Sequence, residues 1–180
     1  MAIVNTNIKQ KTIKNEVSLN GVGLHTGTEV ILTFKPAPEN FGFRFKRNDL
    51  EGEPVIEADA NYVTNTQRGT CLEKNGVIIQ TCEHVLAALV GLDVDNAIIE
   101  LNASEPPIMD GSSKFFVEAI EKAGITEQDA DRDFFEIKEK KIAQYFERLH
   151  KQTGFNGAVW ISKDEHKLYA AAFGFNDIKY

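Results

Sequence analysis

Near residue 80 the hydrophobic period of this chain changes. Upstream, Phe41, Phe43 and Phe45 stand two apart, which puts them on one face of a strand. Downstream, Val85, Leu86, Leu89 and Val90 follow helical spacing. Several strands, then helix, strand and helix, predict an α+β domain. The expected form is a two-layer sandwich with helices packed on one face of a mainly antiparallel sheet.

Local signals place the elements. Thr12 to Leu19 reads as a strand ending at Asn20-Gly21. Glu29 to Phe34 is a stronger one, stopped by Pro36 and Pro38. Thr70 to Leu72 and Val77 to Ile79 flank Asn75-Gly76, a hairpin turn pair. A helix is expected over 82–91, with Thr81 as its N-cap and Gly91 as its stop. Asn96 to Leu101 returns to strand. Phe115, Phe116, Ala119, Ile120 and Ala123 form the stripe of a second helix over 112–123, which starts near Asp110-Gly111-Ser112 and ends at Gly124.

The 180 residues suit one domain, or one domain and part of another. A hydrophobic content of 42% is enough for a core. The net charge of -7 argues against general nucleic-acid binding and leaves room for a local basic pocket. No apolar run approaches the roughly 18 residues of a membrane span. Met1-Ala2-Ile3-Val4-Asn5 shows no signal-peptide core. Two cysteines, Cys71 and Cys82, without a secretory signal suggest a reducing cytoplasm and small buried side chains.

Glu83-His84 carries the chemistry. A carboxylate and an imidazole in the first turn of a helix suit metal-assisted hydrolysis. The imidazole binds a divalent metal, and the glutamate takes a proton from the activated water. Successive helical residues point about 100° apart, so both side chains address one cavity. The plain alternative is a structural histidine beside a glutamate that favours the helix dipole.

The surroundings of the pair favour the first reading. Gly21-Val22-Gly23-Leu24-His25-Thr26-Gly27, Thr81-Cys82-Glu83-His84, Leu86-Ala87-Ala88-Leu89, Asp95-Asn96 and Glu105-Pro106-Pro107-Ile108-Met109-Asp110-Gly111-Ser112 occur in this order. Over about residues 8–139 the chain resembles the bacterial UDP-3-O-acyl-N-acetylglucosamine deacetylases, the zinc amidases of lipid A synthesis in Gram-negative bacteria. The resemblance implies a zinc ligand at His84, a catalytic base at Glu83, and substrate-side positions at His25 and Cys71. It implies one zinc ion and a UDP-acyl-sugar substrate. It also implies a similar second domain, or a complementing chain, carrying a His-x-x-x-Asp pair. His150 and His166 do not fit that pair, since Gly154 and Ala170 stand four positions on. Asp110-Gly111 reads as a helix start.

The sequence divides into 1–139, the deacetylase first domain, and 140–180, a helix-hairpin extension. Ile142, Phe146 and Leu149 give a helical stripe ending at Gly154. Residues 155–161 and 168–175 read as strands around a polar turn at 162–167. Residues 142–177 resemble the opening hairpin of serine β-lactamase-like hydrolases, yet no serine has a lysine three positions later. Three alternatives to an incomplete deacetylase stay open: a non-catalytic remnant, one half of a split enzyme, and a truncated fusion to a serine hydrolase.

Overall fold

The structure is a computed structural model that describes residues 3–4, 8–135, 139–163 and 166–174. Its first strands are β1 (Ile3–Val4), β2 (Lys9–Ile13), β3 (Val17–Val22), β4 (Glu29–Pro36), β5 (Phe43–Arg47) and β6 (Val55–Glu57). A 3-10 turn at Ala60–Tyr62 leads to β7 (Val63–Asn65), β8 (Cys71–Lys74) and β9 (Val77–Ile79). Then come α1 (Glu83–Gly91), β10 (Ala97–Leu101), α2 (Lys114–Ala123), β11 (Ile125–Asp131) and β12 (Phe134–Phe135). The tail holds α3 (Glu139–Thr153), β13 (Gly157–Lys163) and β14 (His166–Phe173). The chain forms two compact units, residues 6–132 and residues 133–180 with 1–5.

The larger unit is α+β. Its main sheet has the order β3-β4-β10-β5-β6, with the β10–β5 pair parallel and the other pairs antiparallel. Register explains the core. Val17, Phe34, Ile99, Phe45 and Ile56 fall in one row across all five strands. Side chains alternate along a strand, so one face of the sheet collects this row and its neighbours. Phe34, Phe45 and Ile99 are fully buried. Both helices bury their apolar stripes in the same cluster: Val85, Ala88 and Leu89 from α1, and Phe116, Ile120 and Ala123 from α2. The Phe116 ring meets Phe34 edge-on, with centroids 6.3 Å apart.

The expected strand from Thr12 to Leu19 is in fact two. β2 pairs with β11, β3 pairs with β4, and the chain bends at Lys14-Asn15 between them. The bend is held from outside the segment: Lys14 N–H donates to the Gly124 carbonyl, and the Asn15 amide donates to Ala123. Gly21 does not end β3. It sits inside the strand, where a Cβ would stand 2.8 Å from Pro107, so it is there for close approach. The Asn75-Gly76 hairpin forms as expected, with both residues at positive φ, in the small sheet β7-β8-β9.

The smaller unit is built on aromatic packing. Phe146 of α3 stacks on Tyr169 of β14, and Phe155 and Phe173 border it. The His150 ring donates from Nδ1 to the Phe155 carbonyl at 2.6 Å. The sequence reading of a helix and hairpin matches α3, β13 and β14, although part of the turn and the end of the second strand lie outside the described residues. No helix among the described residues is long and apolar enough to cross a membrane.

Candidate active site

The start of α1 is fastened to the strand beside it. Glu83 is the first helical residue, where a carboxylate favours the helix dipole. Its Oε2 accepts a 2.9 Å hydrogen bond from the Thr70 N–H, just before β8. In return the Cys82 N–H donates to the Thr70 carbonyl. His84 follows, with Nε2 4.0 Å from Glu83 Oε1; the two side chains are 32% and 37% exposed. The Ser113 hydroxyl donates to the His84 carbonyl at 2.9 Å and ties α1 to the start of α2. Asp110-Gly111 stand just ahead of α2 and do not cap it. The N-cap is Ser113, which makes no side-chain cap bond, while Asp110 accepts from Ser112, whose hydroxyl accepts from the Lys114 N–H.

Thr81 is not the N-cap; Cys82 occupies that position and makes no side-chain cap bond. Thr81 has a φ of 51°, uncommon for a β-branched residue. A capping side chain turns back to the first free N–H groups of the helix. The Thr81 hydroxyl instead donates to Glu105 Oε1 at 2.8 Å.

Glu105 is fully buried and lies at the centre of this region. It accepts from the His25 and Thr26 N–H groups, each at 3.0 Å, and its Oε1 lies 2.9 Å from His25 Nδ1. Burial pushes its pKa up, but hydrogen bonds from the His25 ring, Thr26, Thr81 and the His25 backbone outweigh this and hold it at about 2. It is therefore ionised at neutral pH.

A cavity of about 310 Å³ opens beside this network, lined by His25, Arg68, Cys71, Gln80 and Thr81 among others. The two substrate-side residues expected from sequence, His25 and Cys71, thus line the same cavity. Glu83 stands behind Gly69 of the cavity wall, where a Cβ would be 3.5 Å from Glu83 Oε1. Cys71 is half-buried. Cys82 is fully buried; burial pushes its thiol up to about 12, and it donates to the Thr70 carbonyl.

Sequence reasoning missed the parts played by Glu105 and Thr81. Both lie inside the quoted motifs. A glutamate before two prolines among apolar residues was the available signal for a buried acid needing partners.

Fold and site together define an α+β domain with a glutamate-histidine pair at a helix start, close to a cavity lined by both polar and apolar groups. The sequence model of the UDP-3-O-acyl N-acetylglycosamine deacetylases, LpxC, matches residues 10–158, and the chain belongs to that family. The match passes the 139/140 position and takes in the start of the tail hairpin. The chain is 52% identical to the bifunctional enzyme LpxC/FabZ of Bacteroides thetaiotaomicron, over 74% of this chain and 29% of that protein. It is 47% identical to the UDP-3-O-acyl-N-acetylglucosamine deacetylase of Chromohalobacter salexigens, over 91% and 54%. The Coxiella burnetii deacetylase is 50% identical, over 83% and 50%. The chain thus spans about half the length of these relatives, or less.

Proposed function

We propose that the chain is the N-terminal part of a zinc-dependent deacetylase acting on UDP-3-O-acyl-N-acetylglucosamine in lipid A synthesis. Glu83 is its general base and His84 a zinc ligand, with His25 and Cys71 on the substrate side. The observation that carries this reading is the setting of Glu83. One carboxylate oxygen is held by the Thr70 N–H, while the other lies on the His84 side at 4.0 Å. A base so anchored takes a proton from water at Oε1 as the water oxygen adds to the acetamide carbonyl. That proton then passes to the nitrogen as the C–N bond breaks, releasing acetate and the amine and returning Glu83 to its ionised form.

The donors present do not make a zinc site by themselves. A catalytic zinc takes three protein ligands. Among the described residues no three His, Cys, Asp or Glu side chains are grouped to hold an ion. His25 Nδ1 is engaged by Glu105, and the buried Cys82 thiol is turned to the Thr70 carbonyl. The proposal therefore assigns the further ligands to a second domain or a second chain. A nucleotide-sugar substrate and two free cysteines suit a cytoplasmic location.

The test is amine release from UDP-3-O-acyl-N-acetylglucosamine with added zinc. The chain is assayed alone and with the C-terminal half of the Coxiella burnetii relative as a second polypeptide. The expected result is trace release alone, and zinc-dependent release with the complement that Glu83→Ala abolishes. Turnover of roughly 1 to 10³ per second by the chain alone, or complemented turnover unaffected by Glu83→Ala, overturns the proposal.

A further inference from the structure

Glu105 does more than fill a buried position. The loop backbone packs closely against it: a Cβ on Gly23 would stand 2.7 Å from Glu105 Oε2. The carboxylate links the His25 turn, between β3 and β4, to Thr81, two residues before Glu83. Its most specific contact is with the His25 ring, Nδ1 to Oε1 at 2.9 Å.

An ionised carboxylate only accepts hydrogen bonds. The ring atom facing it at this distance must therefore carry a proton. The other polar neighbour of Nδ1 is the Thr81 hydroxyl at 3.4 Å, and its proton is directed to Glu105. A neutral imidazole has one ring proton. With that proton on Nδ1, the Nε2 lone pair is bare. In water the neutral ring prefers the opposite arrangement, with its proton on Nε2, so this environment reverses the default.

We propose that Glu105 is a positioning residue that holds His25 in the Nδ1–H tautomer. Nε2 is then the acceptor nitrogen that His25 brings to the cavity shared with Arg68, Cys71 and Gln80. The groups it suits are hydroxyl and amide N–H donors. Its use on a substrate rests on the deacetylase reading above; the tautomer itself does not. A carboxylate that fixes the proton on the far nitrogen of an imidazole is a general way to set which nitrogen does the chemistry.

The test reads the ring nitrogens directly and needs no turnover, so its outcome is separate from that of the deacetylase assay. The full chain is labelled with ¹⁵N, and long-range proton–nitrogen spectra of the imidazoles are recorded above the pH where the ring titrates. His25 signals are assigned by comparison with His25→Gln. The expected result is a protonated Nδ1 and a bare Nε2, favoured by at least about tenfold, as fits one charge-assisted hydrogen bond kept rather than lost. Thr81→Val should keep this pattern, and Glu105→Gln should shift it towards Nε2–H. If Glu105→Gln does not fold, the wild-type spectrum still decides. A wild-type ring that is mostly Nε2–H or evenly mixed overturns the proposal. So does a folded Glu105→Gln chain with the wild-type pattern, or a Thr81→Val chain that loses it.

Discussion

Burial pushes the Glu105 carboxyl towards its protonated form, yet its hydrogen-bond donors outweigh this and hold it ionised. This makes its contribution to stability depend on pH in a definite direction. Its folded pKa, about 2, lies below the ordinary glutamate value of 4.5. The stabilisation is therefore complete above about 4.5 and is lost as pH falls towards 2. A depression of this size corresponds to about 3 kcal/mol. Urea unfolding between pH 7 and pH 2 should show wild-type stability dropping across that window. Glu105→Gln should be less stable at pH 7 and should lack that part of the drop. A variant with the wild-type slope would mean that other carboxylates carry the acid sensitivity. Asp49, Glu57, Asp93 and Asp110 are also held low, each mainly by a hydrogen bond to a neighbouring side chain, so a residual slope is expected in both proteins.

At the scale of elements, α2 shows how one helix serves the sheet and the site together. Phe116, Ala119, Ile120 and Ala123 are its buried residues, and Gly124 at φ 79° ends it. Phe115, one position away, is 36% exposed. Phe116→Ala should lower stability by about 3–5 kcal/mol, since it removes a fully enclosed ring and leaves a cavity against Phe34. Phe115→Ala should cost about 1 kcal/mol or less, in keeping with its partial burial. Chemical unfolding of the two variants checks the contrast, and equal losses would contradict the placement of α2. α1 depends on this packing as well, because Ser113 at the start of α2 holds the His84 carbonyl.

The whole chain carries two cores. The larger unit contains the five-stranded sheet with α1 and α2, and the smaller has its own aromatic cluster around Phe146. A chain ending at residue 139 should therefore still fold, with a thermal midpoint within about 2–8 °C of the full chain's, the shift that 1 kcal/mol produces in domains of this size. Calorimetry checks this; an aggregating or unfolded fragment would show that the tail completes the larger core. The sequence by itself determined what local backbone preference and hydrophobic period control. These are the α+β order of elements, the Asn75-Gly76 turn, the stop at Gly124, and Glu83-His84 at a helix start. Tertiary structure alone decided the parallel pairing of β5 with β10, the break between β2 and β3, the close approach at Gly21, and the ties of Glu105 to His25 and Thr81. Those features join residues far apart in the chain, 80 positions in the case of His25 and Glu105. Their hydrogen bonds and exclusions depend on which strands become neighbours, and no local pattern carries that information.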